Sequence, residues 1–261
     1  MNPSQNAEQF QSQLANYVPQ FSAEFWSVWL VIAGLLLVGM WLVLGLHALL
    51  RARGVKKPSS DHGEKVYLYS KAVRLWHWSN ALLFLLLLAS GFINHFALVS
   101  VTVVKSLVAV HEVCGFLLLA CWFGFVLINA VGGNGHHYII RRQGWLGRAV
   151  KQTRFYLFGI MQGESHPFPA TAQSKFNPLQ QAAYLGVMYG LLPLLLLTGL
   201  LSLYPQTVGS LFPGVRYWLL QAHFALAFMS FFFIFGHLYL CTTGRTPGET
   251  FKCMVDGYHR H

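Results

Sequence analysis

The chain has 261 residues, of which 55% are hydrophobic and only 10% charged, with a mean hydropathy of +0.47. Soluble domains carry about a quarter charged residues, so an ordinary water-soluble fold is excluded. The net charge of +10 does not mark a nucleic-acid binder, because Lys and Arg fall in short segments between apolar runs.

Five apolar runs are long enough to cross a hydrocarbon core of about 30 Å. They lie at 25–50, 75–96, 103–131, 179–204 and 217–241. No polar block between them is large enough to build a second core. The expected architecture is therefore all-α, one integral membrane bundle of five transmembrane helices over residues 1–261.

The first 24 residues hold no Lys or Arg and lack the basic start of a cleavable signal. The first span opens on belt aromatics Phe25, Trp26 and Trp29. A basic loop follows, with seven Lys and Arg between Arg51 and Arg74 and the breakers Gly54, Pro58 and Gly63. The second span opens on Arg74-Leu75-Trp76-His77-Trp78. The third carries His111-Glu112 about two turns in and ends near Asn129, before Gly132-Gly133-Asn134-Gly135. Residues 144–163 put Arg148, Lys151 and Gln152 on one side and Leu146, Ala149, Val150, Leu157 and Ile160 on the other. That pattern predicts a short helix lying in the interface plane. Ser165–Pro169 is a Pro-broken piece leading to Lys175-Phe176-Asn177-Pro178, and Pro193 predicts a kink in the fourth span.

The three basic segments, 51–74, 141–175 and 245–260, hold all but Lys105 and Arg216 of the 18 Lys and Arg residues. With five spans, all three fall on one side of the membrane. The positive-inside rule then places the N-terminus in the periplasm and the C-terminus in the cytoplasm of a bacterial inner membrane. Cys114, Cys121, Cys241 and Cys253 form neither a CxxC pair nor a CxxCH haem-attachment site.

His223 and His237 are fourteen residues apart in the last span. Fourteen residues come within about 40° of whole helical turns, so both imidazoles share a face about 21 Å apart. Ionisable groups at membrane depth are costly and point to function. Span direction puts His77 at the depth of His237 and His111 at the depth of His223. Each pair can supply both axial ligands of one non-covalent haem b, giving an inner iron (His77, His237) and an outer iron (His111, His223). Taken singly, each histidine reads equally as a hydrogen-bonded core residue or a proton relay. Gly91, fourteen residues after His77, and Gly115, one turn after His111, would let a flat macrocycle approach the backbone. Close helix–helix contact explains them equally. Arg74 reads as a propionate partner or a positive-inside anchor, and Glu112 as a proton relay or an interfacial carboxylate. His47 and His95 sit at span ends with no evident partner, while His62, His136, His137, His166, His259 and His261 lie in loops or the tail.

Arg74-x-x-His77-Trp78, one early His in the next span and the fourteen-residue pair resemble the dihaem cytochrome b membrane subunits. That group includes the gamma subunit of formate dehydrogenase and the b-type cytochromes of NiFe hydrogenases. The strings Arg154-Phe155-Tyr156-Leu157-Phe158-Gly159-Ile160-Met161 and Lys175-Phe176-Asn177-Pro178-Leu179-Gln180-Gln181 are similar to the thiosulfate reductase cytochrome b subunit. The resemblance implies four core helices around two haems and a quinone site beside the inner haem, lined by Asn177 and Gln180. Leu179 stands where the formate dehydrogenase subunit has glycine, and Asn177 before Pro178 also reads as a helix start. The chain would then oxidise menaquinol near the cytoplasmic face. Electrons would pass to an iron–sulfur subunit and a molybdopterin thiosulfate reductase subunit in the periplasm, during anaerobic respiration. No catalytic residue for the terminal substrate is expected in this chain, and no nucleic acid. The alternatives are a formate dehydrogenase or hydrogenase subunit reducing quinone, a stand-alone quinol-linked oxidoreductase, or a non-redox transporter.

Overall fold

The computed structural model describes residues 23–54, 65–96, 98–132, 134–140, 143–244 and 246–260. The expectations placed on residues 1–22, on Pro58, His62 and Gly63, on Gly133, Arg141 and His261, and on the side chains of Phe25, Trp26 and Trp29 lie outside the described residues.

The apolar runs form α1 (Ala23–Arg53), α2 (Lys71–His95), α3 (Val101–Val131), α5 (Pro178–Ser202) and α7 (Val215–Cys241). All five are long and apolar enough to cross a membrane. Their outward side chains are apolar, as Leu42 (68% exposed) and Leu75 (72%) illustrate. Such a surface is stable only against lipid. The chain is an all-α integral membrane bundle. α2 packs along α3, α5 packs along α7, and α1 lies at the edge against α7, where Trp41 meets Phe235 at 5.2 Å. The best-buried cluster is Leu118, Leu192 and Leu196, where α3 meets α5, with Leu83, Phe84 and Leu87 of α2 against it.

The fourth span departs from a plain α-helix at Val187–Leu191, a π-helical turn just ahead of Pro193. The Leu192 N–H reaches back five residues to the Val187 carbonyl. The next carbonyl, Met188, would need a donor from residue 193, and proline has none. Trp122 Nε1 donates to it instead, at 2.7 Å. A carbonyl freed inside a membrane must find such a partner.

The interfacial segment forms α4 (Trp145–Arg154), followed by a π-helical turn at Phe155–Gly159. Its orientation corrects the expected one: Gln152 is fully buried with Ala149 and Phe155, and Leu146 and Val150 are exposed. The Gln152 amide meets the His166 ring at 3.2 Å. That partner lies fourteen residues away, so sequence periodicity assigned Gln152 to the wrong face. Two further short helices went unforeseen, α6 (Pro205–Leu211) and α8 (Glu249–Asp256).

At the end of the bundle carrying the basic loops, β1 (Lys65–Tyr67) pairs antiparallel with β2 (Tyr258–Arg260). Gly257 joins α8 to β2 at φ +88°, and its carbonyl accepts from the N–H groups of Leu68 and Tyr69 at 2.9 and 3.2 Å. A Cβ there would stand 2.5 Å from the Tyr69 carbonyl oxygen and 2.7 Å from the Tyr67 ring. Gly257→Ala is therefore expected to cost about 1–3 kcal/mol through the positive φ and the clash. Limited proteolysis in detergent should show earlier cleavage in the last dozen or so residues, with the spans still protected.

Candidate functional site

The four span histidines meet as two pairs. At the basic end, His77 of α2 faces His237 of α7, ring centres 6.3 Å apart and planes at 48°. At the opposite end, His111 of α3 faces His223 of α7, also at 6.3 Å, with planes at 71°. An imidazole nitrogen binds a metal at about 2 Å and its ring centre lies about 1.1 Å behind, so two rings across one ion have centres about 6.2 Å apart. Both pairs have that separation. Among the described residues, no group of three or more His, Cys, Asp or Glu side chains is placed to hold a metal ion. A metal held by two imidazoles therefore needs its remaining positions filled by a ligand the protein does not make, and a porphyrin supplies four.

Neighbouring hydroxyls set the tautomer of the pair at the opposite end. Ser90 Oγ lies 2.7 Å from the Leu86 carbonyl, 3.2 Å from the Leu87 carbonyl and 2.9 Å from His111 Nδ1; with its proton on a carbonyl it accepts from Nδ1. Thr198 Oγ1 gives its proton to the Leu194 carbonyl at 2.8 Å and accepts from His223 Nδ1, also at 2.8 Å. Both Nε2 lone pairs are thereby left free to ligate.

A partly open cavity lies between α2, α3, α5 and α7. His111, His223, Gly115 and Gly199 line it, and a Cβ on Gly115 would meet nothing within 4 Å. This fits a flat group passing over Gly115. Gly91 does something else: a Cβ there would stand 3.2 Å from His111 Cε1, so this glycine makes room for the His111 ring. Gly199, which the sequence reading missed, is its counterpart, 3.3 Å from His223 Cε1. The signal was present as Ser90-Gly91 and Thr198-Gly199, a small hydroxyl residue followed by glycine in two different spans. Glu112 is exposed and also lines this cavity.

At the basic end, Phe233 stacks on His237 at 5.6 Å and Tyr184 lies 6.5 Å from it. His77 Nδ1 is buried without a hydrogen-bond partner among the described residues. Arg74 donates through Nη1 to the Val255 carbonyl, and Trp78 Nε1 donates to the Met254 carbonyl at 2.8 Å. Both clamp α8, while Arg74 Nε is buried and unpaired among the described residues. His47 has the partners its sequence position did not reveal: Nε2 donates to the Tyr156 carbonyl at 2.7 Å, and Nδ1 accepts from the Tyr239 hydroxyl. His95 stacks on Phe224 at 3.9 Å.

Asn177 and Gln180 form a capping box at the start of α5. Asn177 Oδ1 accepts from the N–H groups of Leu179 and Gln180 at 3.0 and 2.9 Å, and Gln180 Oε1 accepts from Asn177 N at 3.1 Å. Asn177 Nδ2 donates to the Tyr156 hydroxyl at 3.1 Å. The start of α5 reaches the basic-end pair through Phe176 and Tyr184, whose rings are 4.9 Å apart.

His137 is buried beside His136 and Phe176. Burial, with the nearby His136 and Lys175, pushes its pKa down to about 4. A histidine neutral when folded and near 6.5 when unfolded takes up its proton first in the unfolded state. Stability is thus expected to fall as pH drops from about 6.5 toward 4. Melting of the purified protein across that range should show a shallower loss in His137→Gln.

A family model for prokaryotic cytochrome b561 matches residues 68–257, a region that holds all four paired histidines and leaves out α1. The chain belongs to the prokaryotic cytochrome b561 family. Membership implies a membrane cytochrome carrying b-type haem. The chain is similar over its whole length to a protein of Escherichia coli (strain K12) named "Putative cytochrome YdhU", at 87% identity over 261 residues and 100% of both chains. No solved structure matches it.

Proposed function

We propose that this cytochrome b561 family member is the membrane electron-transfer subunit of a quinone-linked oxidoreductase, holding two haems b. His77 and His237 would ligate the haem near the cytoplasm, and His111 and His223 the one near the periplasm. The observation that carries this reading is the equal 6.3 Å spacing of both pairs, at opposite ends of a shared α7 and about 21 Å apart along its axis. When bound, the two haems supply one-electron carriers near the two faces of the membrane. The residues fix what those carriers can do. Two imidazoles for each iron would leave no place for a substrate to bind it, so the chain would carry electrons and the terminal chemistry would belong to a partner. Leu118, Leu192 and Leu196 form a buried apolar cluster where α3 meets α5.

The basic loops at the His77–His237 end support a cytoplasmic location for it. Menaquinol would be oxidised there, beside Tyr184 and the Asn177–Gln180 cap, with protons released inward. The partners at the periplasmic end are an iron–sulfur subunit and a molybdopterin subunit, and thiosulfate is the proposed oxidant. Outward electron flow works against the membrane potential at about 2.3 kcal/mol per charge per 100 mV, so this direction consumes potential. The test is the complex purified in mild detergent and supplied with a reduced menaquinone analogue. The account expects quinol-dependent appearance of the reduced b-type absorbance band, and stoichiometric iron–sulfur and molybdopterin subunits. A chain that purifies alone, with no band that quinol reduces, contradicts it.

A further inference from the structure

The two histidine pairs differ in how the protein treats the nitrogen that faces away from the metal. At the opposite end both imidazoles are held by hydroxyl groups of adjacent helices: His111 by Ser90 of α2 at 2.9 Å, and His223 by Thr198 of α5 at 2.8 Å. Each hydroxyl is followed by a glycine that brings the helix backbone up to the ring. At the basic end there is no such arrangement. His77 Nδ1 is buried without a partner among the described residues. The Cys241 thiol lies 3.8 Å from His237 Nε2, the nitrogen on the metal side, and so gives the outward nitrogen no acceptor.

We propose that Ser90 and Thr198 are positioning residues that hold the reduction potential of the haem between His111 and His223 below that of its counterpart between His77 and His237. The inference rests on the two-haem reading above. The chemistry is local. A ring N–H that donates a hydrogen bond leaves more electron density on the opposite nitrogen, making it a more basic ligand. A more basic ligand stabilises ferric over ferrous iron, and hydrogen bonding around the axial ligands is one of the protein's levers on potential. If the imidazoles ligate through Nε2, Nδ1 carries the proton, so Ser90 and Thr198 act as acceptors toward them and direct their own protons to the Leu86 and Leu194 carbonyls. The two effects therefore have the same sign. This ligand shell makes transfer downhill from the opposite end toward the basic end. That is the quinone-reducing direction, so a terminal oxidant reached the other way must be strong enough to overcome it.

Optical potentiometry of the detergent-purified complex tests the proposal, with electron paramagnetic resonance of the ferric state as a second readout. Wild type should titrate in two waves. Ser90→Ala and Thr198→Val should each raise the lower potential and leave the higher one in place, and the double variant should raise it further. Ser90→Thr and Thr198→Ser keep the hydroxyl and should stay at the wild-type value. Unchanged potentials in both hydroxyl-free variants with both haems bound, or equal shifts of both waves, overturn the proposal. Should a hydroxyl-free variant lose its haem, the assignment of the waves decides by itself. The haem retained in His111→Ala must titrate at the higher potential, and retention of the lower wave overturns the proposal. Fewer than two haems in the wild-type chain is a different failure, one that removes the two-haem reading beneath it.

Discussion

His111→Ala is expected to leave one haem per chain where two are proposed, and His223→Ala should do the same. His77→Ala should also leave one haem, but the other one. The reason is geometric. Each pair supplies only two nitrogens across a 6.3 Å centre-to-centre gap, so deleting one ring removes half of the protein's hold on the iron. Losing the hydrogen-bond partner of a metal ligand typically costs 10- to 100-fold in affinity, and loss of a ligand itself should cost more. The remaining pair lies about 21 Å away along α7, with Leu118, Leu192 and Leu196 packed in the bundle between α3 and α5. The two losses should therefore be independent, as expected for sites well separated and without shared partners. Haem extraction with pyridine, normalised to protein, reads the number directly. Unaltered haem content in any of these variants would remove that residue from the ligand set.

Gly199→Leu is expected to expel the haem proposed between His111 and His223 while the spans remain inserted. A Cβ at residue 199 already stands 3.3 Å from His223 Cε1, and the three further carbons of leucine need space the imidazole occupies. Overpacking of this kind costs about 1–3 kcal/mol. Here the ring can relieve it by swinging away from Thr198, which also breaks the 2.8 Å hydrogen bond fixing its tautomer. Gly199→Ala should show a milder form of the same defect. Gly190→Ala on the same helix is the control, because a Cβ there meets nothing within 4 Å. Haem quantitation and melting temperature, measured together, separate displacement of the ligand from general unfolding. Full haem content in Gly199→Leu would contradict the seat assigned to this glycine.

Much of this architecture was legible because lipid imposes a strict rule. A segment spanning hydrocarbon must satisfy its backbone internally and expose apolar side chains, so length and hydropathy locate the five helices to within about four residues at each end. Depth followed from span direction, and depth alone paired His77 with His237 and His111 with His223. The start of α5 was equally local: Asn177, Pro178 and Gln180 are a capping signal readable in four residues, and the structure forms it.

The rest depended on contacts between segments far apart in the chain. Gly91 sits at the right depth for a macrocycle contact. Only the approach of α3, twenty residues on, shows that it seats His111 instead. Ser90 and Thr198 carry no helix-period signal, since a hydroxyl bonded back to its own helix looks like any buried serine or threonine. His47 gained its partners from residues 109 and 192 positions away. The ribbon of β1 and β2 is three residues on each side, too short for an alternating pattern to register. The π-helical turn before Pro193 leaves a carbonyl that Trp122, on another helix, satisfies.

The most direct test of the central claim is the haem-to-polypeptide ratio of the purified, unaltered protein, read from the pyridine complex beside a reduced-minus-oxidised spectrum. The account predicts two non-covalent b-type haems for each chain of 261 residues. A ratio of one, or a protein with no b-type absorbance, would contradict it.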